Sequence, residues 1–356
     1  MARIGRDVER SVLRARNGLR YAQAMSRPRS GATPKDVLWS CDRAELWRYH
    51  GGPIRYDPPV LIVHSLVSRS YILDLRPGSS SVEYLMGAGF DVLMLDWGIP
   101  DERDADNSFE TYVDDYIPQA VAAAQEATGA SELTLIGYCL GGVLAILYAA
   151  GRDASVRNLI LLATPLDFSR MGAMVAGVLA DRLDTDELLD ETGNVPADVL
   201  YTGFYMQAPT KELAQYATLL DNLWNDEFVD AYQAMAQWSR DHVPLPGAAT
   251  RQIVDDLIRR NVLMSGRWKL GGRVIELADV GSNVLNAVAE RDNVVPGAAS
   301  EPVMDLVGDP ARREEMRLTG GHVTFGAGSH AFGRTLPRLA AWIAEHSDEL
   351  DPAKER

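Results

Sequence analysis

The chain has 356 residues, a formal net charge of −15 and two cysteines, Cys41 and Cys139. This length can bury the core of one large α/β domain, with or without an inserted segment. The acidic balance argues against nucleic acid as a partner. Two cysteines do not make a disulfide framework, and they suit a reducing compartment. Because no apolar run reaches the length of a bilayer-spanning helix, we expect no transmembrane segment.

Residues 1–32 are predicted to form an N-terminal helical segment. The stretch is basic, and it lacks the continuous apolar core of a secretory signal. Its apolar residues, Val12 and Leu19 among them, recur at roughly helical spacing between arginines, which indicates an amphipathic helix. Two interpretations of this helix stay open: it packs on its own domain, or it binds a partner or a surface.

Residues 33–165 are predicted to be the first part of an α/β core. Short apolar runs alternate there with helical stretches, and this order is typical of a mostly parallel sheet with helices on both faces. The helical stretch at residues 108–128 contains Pro118, which predicts a kink or a break. The expected strands, beginning with the first, cover residues 44–49, 60–63, 90–95, 133–136 and 156–163.

The most informative stretch is residues 133–150, LTLIGYCLGGVLAILYAA. A buried strand, a G-x-C-x-G turn and a helix follow one another there, which is the order of a nucleophile elbow with cysteine in place of serine. Gly137 and Gly141 would leave room beside a strained residue that carries the nucleophile. The pattern therefore predicts Cys139 as a catalytic nucleophile. The alternative is a buried structural cysteine in a glycine-rich turn.

The surroundings of this cysteine predict an oxyanion hole. A helix N-terminus beside Cys139 favours its thiolate form. The backbone N–H of Leu140 is one candidate donor to a tetrahedral oxyanion, and the N–H of Val67, in the loop after strand 60–63, is the other. His64 ends that strand, where a histidine is more often a structural hydrogen-bonding residue than a base.

The strand pattern stops after residue 165 and resumes near the C-terminus. Residues 166–270 are helical and acidic, and we expect them to form a cap inserted into the core. Residues 271–356 are predicted to be the second part of the core, with strands at 282–289 and 314–318.

Polar residues follow each of these two later strands. Asp292 comes shortly after the first, and His322 follows a Gly-Gly pair after the second. Their order after Cys139 matches nucleophile, acid and base of the α/β-hydrolase plan. Since no HxH or CxxC spacing occurs, the sequence predicts no metal site. Weaker candidates are Glu290 and Asp305 for the acid and His330 for the base.

Several motifs, spread from about residue 33 to residue 343, resemble the polyhydroxyalkanoate (PHA) synthase family. The short length is similar to that of the class III catalytic subunit. The GYCLGG box alone is moderately specific, and its combination with YILDL and DWGIP is much more so. The motifs are PVLIVHSLVSRSYILDL, FDVLMLDWGIP, GYCLGG, ATPLDF, NVLMSGRWKLGG, AERDNVVP and TGGH.

The resemblance implies an α/β-hydrolase fold with an inserted helical cap domain. It implies an acyltransferase that polymerises (R)-3-hydroxyacyl-CoA into PHA with release of coenzyme A. Cys139 would be the nucleophile that carries an acyl thioester, His322 the general base and Asp292 the catalytic acid. No cofactor is implied, because coenzyme A is the leaving group of the substrate. The family further implies a homodimer, a cytoplasmic location at the PHA granule surface and, for class III, a second, non-catalytic subunit.

Two other functions stay open at this point. A cysteine-dependent α/β hydrolase that cleaves an ester, thioester or lactone would use the same triad, with a different acceptor. A non-catalytic granule-associated subunit would retain the fold, although it has no need of Cys139, Asp292 and His322 together. The YILDL and DWGIP motifs favour the synthase, since the general hydrolase pattern does not require them.

Overall fold

The computed structural model describes residues 2–22, 30–151, 155–172, 184–206, 211–328 and 330–351. None of the described helices is both long enough and apolar enough to cross a membrane. The α-helices are α1 Ala2–Ala22, α2 Ser81–Ala88, α3 Ile117–Thr128, α4 Leu140–Gly151, α5 Ala197–Met206, α6 Lys211–Asn222, α7 Asp226–Arg240, α8 Gly247–Gln252, α9 Gly297–Ser300, α10 Val303–Leu306 and α11 Leu336–Glu345. The strands are β1 Lys35–Cys41, β2 Ala44–Tyr49, β3 Tyr56–Asp57, β4 Val60–Val63, β5 Asp74–Arg76, β6 Ser79–Ser80, β7 Val92–Asp96, β8 Leu133–Tyr138, β9 Val156–Leu162, β10 Asn194–Val195, β11 Leu245–Pro246, β12 Arg267–Leu270, β13 Arg273–Glu276, β14 Asn283–Ala289, β15 Arg313–Leu318 and β16 Asp348–Glu349.

An eight-stranded sheet in the order β1-β2-β7-β4-β8-β9-β14-β15 organises the molecule. The pairs β1/β2 and β2/β7 are antiparallel, and the remaining neighbours are parallel. Every residue of β4, β7 and β8 is buried, as expected of parallel strands covered on both faces. Leu61 and Val63 contribute to one core cluster and Val60 and Ile62 to the other, which follows from the alternation of side chains along a strand.

Residues 44–49 form a strand as predicted, but the prediction that this strand is the first is wrong. Residues Lys35–Cys41 precede them as β1, which pairs with β2 at the edge of the sheet. The residues of β1 are half-buried or exposed, so the segment has little of the apolar periodicity by which a strand is recognised. The predicted break at Pro118 corresponds to a change from a π-helical stretch, Thr111–Tyr116, to α3.

The segment predicted as a cap, residues 166–270, contains α5, α6, α7 and α8. It also contains the two-residue strands β10 and β11, and it ends with β12, whose antiparallel partner β13 lies just beyond it. Such short strands leave no detectable alternation in a sequence, so they were not predicted. The division of the chain into core and cap stays a prediction.

Helix α1 packs against α7 within the same chain. The Asn17 amide is fully buried and donates to the Leu223 carbonyl oxygen and to Asp226 Oδ1, each at 2.7 Å. Val12 and Leu19, on the other hand, are 62% and 58% exposed. One side of the helix therefore packs on its own chain, and apolar residues remain accessible elsewhere on it.

Candidate active site

Cys139 lies at the sharp turn between β8 and α4. Its φ angle is 55°, in the left-handed region that residues other than glycine rarely adopt. Its N–H donates to the Leu162 carbonyl oxygen on β9, and its own carbonyl oxygen accepts from the Gly142 N–H, both at 2.9 Å. These bonds hold the strained conformation, as the elbow pattern predicts. The thiol is therefore fixed at the N-terminal end of α4.

Gly137 and Gly141 make this close turn sterically accessible. A Cβ on Gly137 would overlap the backbone of Gly142. A Cβ on Gly141 would overlap the carbonyl oxygens of Val63 and His64, where β4 ends. The spacing of the glycines is thus a consequence of how closely the helix approaches the sheet.

We expect Gly141→Ala to lower the free energy of unfolding by about 3 kcal/mol, since it overpacks a site bounded by backbone atoms. Gly87→Ala is the matched control, because Gly87 is exposed in α2 and no atom lies within 4 Å of an added Cβ. The free energy of unfolding of the control should rise by up to about 1 kcal/mol, because alanine has a higher helix propensity than glycine. Equilibrium denaturation measures both values, and similar values would contradict the steric account.

Asp292 and His322 form a hydrogen-bonded pair beyond the ends of β14 and β15. His322 Nδ1 lies 2.7 Å from Asp292 Oδ2. The other carboxylate oxygen accepts the N–H groups of Val294 and Val295, both at 2.8 Å. The Asp292 side chain is 0% exposed and that of His322 14%. The carboxylate is thus fixed by the backbone and in turn fixes the imidazole.

The His322 ring also contacts the predicted nucleophile. Burial alone would lower the pKa of His322, but the charges of Asp292 and Cys139, and hydrogen bonds with both side chains, raise it above its usual value. Since Nδ1 faces the carboxylate, Nε2 is the nitrogen left for the Cys139 thiol. The ring therefore binds a proton more readily than a free imidazole does.

The other candidates for the acid and the base lie elsewhere. The three residues predicted from the sequence lie together at the carboxyl ends of β8, β14 and β15; they are Cys139, Asp292 and His322. The weaker candidates are all exposed, namely Glu290, Asp305 and His330. Among the described residues, no group of three or more His, Cys, Asp or Glu side chains is arranged to hold a metal ion.

Tyr138 is a site residue that the sequence analysis missed. Its hydroxyl donates to the His322 carbonyl oxygen at 2.9 Å, and its ring stacks on the imidazole with centroids 5.2 Å apart. Burial raises the pKa of Tyr138, so the hydroxyl stays a donor. The residue fixes both the backbone and the ring of His322. Its position just before Cys139 is the one available signal, and local sequence does not reveal a contact so distant along the chain.

Two backbone amides are the predicted donors to an oxyanion. Leu140 is the first residue of α4, and the amides of a first helical turn have no acceptor within the helix. Val67 lies in a turn after β4, and its N–H has no hydrogen-bond acceptor among the residues described here. Their role in an oxyanion hole stays a prediction.

His64 is buried behind the site rather than hydrogen-bonded within it. Its Nδ1 lies 3.1 Å from the Ser65 carbonyl oxygen, and its own carbonyl oxygen accepts the Trp97 indole N–H at 2.8 Å. Its ring packs edge-on against Tyr138, with centroids 5.6 Å apart. Burial, partly opposed by the charge of Asp96, lowers the pKa of His64 from 6.5 to about 4. These contacts favour a structural role.

The neutral state of His64 predicts a loss of stability in acid. Between pH 6.5 and pH 4 the unfolded chain binds a proton at His64 that the folded chain does not, so the contribution of His64 is complete above pH 6.5 and is lost as the pH falls toward 4. From pH 7 to pH 5 this amounts to about 2 kcal/mol. The free energy of unfolding of the non-titrating variant His64→Gln, measured by urea denaturation, should fall by about that much less over the same pH interval. Equal losses would show that His64 does not titrate as expected.

Comparison with known proteins identifies the fold. A family model for the alpha/beta hydrolase fold matches residues 58–327. A hydrolase from Pseudomonas aeruginosa aligns with a TM-score of 0.53 at 15% identity, over 89% of this chain and 98% of that one. A thermophilic esterase from Thermogutta terrifontis aligns with a TM-score of 0.52 at 14% identity, over 89% and 100%. At such identities the two structures support the fold alone.

Sequence relatives define the family more closely. Poly(3-hydroxyalkanoate) polymerase subunit PhaC of Allochromatium vinosum is 30% identical over 343 residues, which cover 95% of each chain. The protein of the same name from Haloferax mediterranei is 32% identical over 332 residues, which cover 92% of this chain and 67% of the relative.

The chain is a member of the alpha/beta hydrolase fold class, which confirms the predicted fold. Within that class it belongs to the poly(3-hydroxyalkanoate) polymerase family, and it is an acyltransferase. The resemblance stated from the sequence motifs is thereby confirmed. The alternative of a non-catalytic subunit is set aside.

Proposed function

We propose that the chain polymerises (R)-3-hydroxyacyl-CoA into poly(3-hydroxyalkanoate) through an acyl thioester on Cys139. The observation that carries this proposal is the buried Cys139–His322–Asp292 cluster in a chain of the polymerase family. In this proposal Cys139 is the nucleophile, His322 the general base and Asp292 the residue that orients the imidazole and stabilises its protonated form.

The first half-reaction would exchange one thioester for another. His322 Nε2 takes the proton of the Cys139 thiol, and Sγ attacks the carbonyl carbon of the acyl-CoA. The N–H groups of Leu140 and Val67 would donate to the tetrahedral oxyanion, and one such donor is typically worth about 3–4 kcal/mol. The carbon–sulfur bond to coenzyme A then breaks, and its sulfur takes the proton from His322. Because a thioester replaces a thioester, this step is close to thermoneutral.

The second half-reaction would form the ester bond of the polymer. His322 takes the proton of the 3-hydroxyl of a hydroxyacyl group, whose oxygen attacks the acyl carbon on Cys139. The bond from that carbon to Sγ breaks, and His322 returns the proton to the thiol. The chain grows by one unit, and the enzyme is regenerated without a cofactor.

Exclusion of water would decide between polymerisation and hydrolysis. Cys139 is 7% exposed, Asp292 5% and the His322 side chain 14%, so the cluster is largely closed to solvent. Trp238 of α7 donates to the carbonyl oxygen of Arg69, which joins the predicted cap to the loop after β4. A closed, partly apolar site of this kind favours a bound hydroxyl over bulk water.

We further propose that the chain acts in the cytoplasm at the surface of PHA granules, as a homodimer with a second, non-catalytic subunit. The Allochromatium vinosum relative is named a polymerase subunit, and its alignment with this chain covers 95% of each. Both facts support an assembly of two kinds of subunit, as in class III. The exposed Val12 and Leu19 of α1 are consistent with contact to another protein or to an apolar surface. Size measurement with and without the second subunit tests the assembly.

Incubation with (R)-3-hydroxybutyryl-CoA tests the reaction. The purified chain is assayed alone and with a class III partner subunit, and free coenzyme A and polymer are measured in acid-quenched samples. We expect coenzyme A and polymerised units in equal amounts, with a requirement for the partner if the class is III. Release of free hydroxy acid without polymer would contradict the proposal and indicate a thioesterase. Absence of release under both conditions would also contradict it.

A further inference from the structure

The C-terminal end of α7 is bonded to the loop that follows β4, residues 64–71. The Trp238 indole N–H donates to the Arg69 carbonyl oxygen at 2.8 Å. The Tyr71 hydroxyl donates to Asp241 Oδ2 at 2.9 Å. Burial and this hydrogen bond raise the pKa of Tyr71, so its hydroxyl stays a donor at neutral pH. Both bonds join the loop to residues more than a hundred positions further along the chain.

A third contact joins the same two segments through the backbone. Ser68 and His242 form an isolated antiparallel bridge. The His242 ring packs against Phe204 and Tyr201 of α5, with centroids 5.4 and 6.0 Å apart. The end of α7 thereby connects the loop to a second helix of the predicted cap.

The core holds the same loop on its other side. The Ser70 hydroxyl donates to Asp96 at the end of β7, and the His64 carbonyl oxygen accepts from the Trp97 indole. Val67 lies between these core contacts and directly precedes Ser68, the residue of the backbone bridge. The direction of the Val67 N–H thus depends on contacts from the core and from α7 together.

We infer that Trp238 and Tyr71 are positioning residues that aim the Val67 N–H at the reacting acyl group. The inference rests on the proposed function, because Val67 acts only if an acyl group is transferred at Cys139. When α7 separates from the loop, the oxyanion loses a correctly placed donor. An acyl group on Cys139 then reacts slowly with any nucleophile, water included. The reactivity of the thioester therefore depends on the contacts between α7 and the loop.

Two reactions of the same thiol test this inference. Acylation of Cys139 develops an oxyanion, whereas alkylation by iodoacetamide displaces iodide at a saturated carbon and develops none. We expect Trp238→Phe, which removes the indole N–H, to slow the first turnover at least ~10-fold with both (R)-3-hydroxybutyryl-CoA and p-nitrophenyl acetate. The rate of alkylation should stay within about twofold of the wild type, because His322 and Asp292 are untouched.

Matched variants separate this role from general damage. Trp47→Phe removes an indole bond of 2.7 Å to Glu45 within β2, which joins neither the loop nor α7, and it should leave both rates unchanged. Tyr71→Phe removes one oxygen atom and should slow acylation selectively even if Trp238→Phe does not fold. Unchanged acylation in the folded variants, or an equal fall in acylation and alkylation, would overturn the inference.

The ester substrate keeps this test distinct from that of the proposed function. Wild-type acylation by p-nitrophenyl acetate without release of coenzyme A from the thioester would contradict polymerisation, while the comparison of variants would still decide the role of Trp238. If neither substrate acylates Cys139 in the wild type, the inference fails with the proposal on which it rests.

Discussion

Replacement of Cys139 by alanine should abolish release of coenzyme A and formation of polymer. The thiol is the group in the cluster that can carry the acyl chain, and it contacts His322. The backbone of Cys139, with a φ angle of 55°, holds it at the sharp turn between β8 and α4. Removing a nucleophile from a triad that acts as a unit typically costs a factor of about 10⁴ or more in kcat. A continuous thiol-detection assay for coenzyme A, backed by weighing of polymer, measures this loss.

Cys41→Ala is the control for the cysteine substitution. Cys41 is half-buried at the end of edge strand β1, well outside the cluster, and its substitution should leave the turnover rate within about twofold. The same Cys41→Ala background allows thiol reagents to report on Cys139 alone. Residual turnover above a few per cent in Cys139→Ala would show that another residue accepts the acyl group.

Asp292→Asn should lower kcat about 10⁴-fold, the cost of the equivalent exchange in a serine triad. One carboxylate oxygen accepts the N–H groups of Val294 and Val295, so an asparagine must keep its oxygen there. Its NH₂ group then faces His322 Nδ1, which has to become an acceptor. The proton moves to Nε2, facing Cys139, and the ring can no longer take the proton of the thiol.

The pH dependence adds a second readout for the Asp292 variant. The charge of Asp292 is the largest influence that raises the pKa of His322, so Asp292→Asn should shift the His322 titration toward lower pH. Histidine NMR or the pH profile of the residual rate measures this shift. Asp305→Asn serves as a control, because that carboxylate is exposed. A normal rate in Asp292→Asn would refute the tautomer argument.

The nucleophile turn was predictable because its constraints are local. Gly137, Cys139 and Gly141 lie within five residues. The start of α4 leaves no room for a Cβ on Gly137, and the end of β4 leaves none for a Cβ on Gly141. Asp292 and His322 were also accessible to sequence reasoning, since each follows a predicted strand. β14 and β15 are parallel neighbours, so the residues after their carboxyl ends meet at one edge of the sheet.

The parts that sequence reasoning missed depend on contacts between distant segments. Trp238 and Arg69 are 169 positions apart, and neither residue type nor periodicity predicts their hydrogen bond. Tyr138 is adjacent to Cys139, yet its role comes from His322, 184 positions away. The edge strand β1 lacks an apolar pattern because its side chains are half-buried or exposed. In each case the missing information is three-dimensional packing rather than local propensity.

Detection of a covalent hydroxyacyl group on Cys139 tests the acyl-thioester mechanism most directly. The enzyme is mixed with (R)-3-hydroxybutyryl-CoA, quenched in acid within the first turnover, digested and analysed by peptide mass spectrometry. We expect hydroxybutyryl adducts on the peptide that contains Cys139, formed together with stoichiometric coenzyme A. Release of coenzyme A with an unmodified Cys139 peptide, or with the adduct on another residue, would contradict this mechanism.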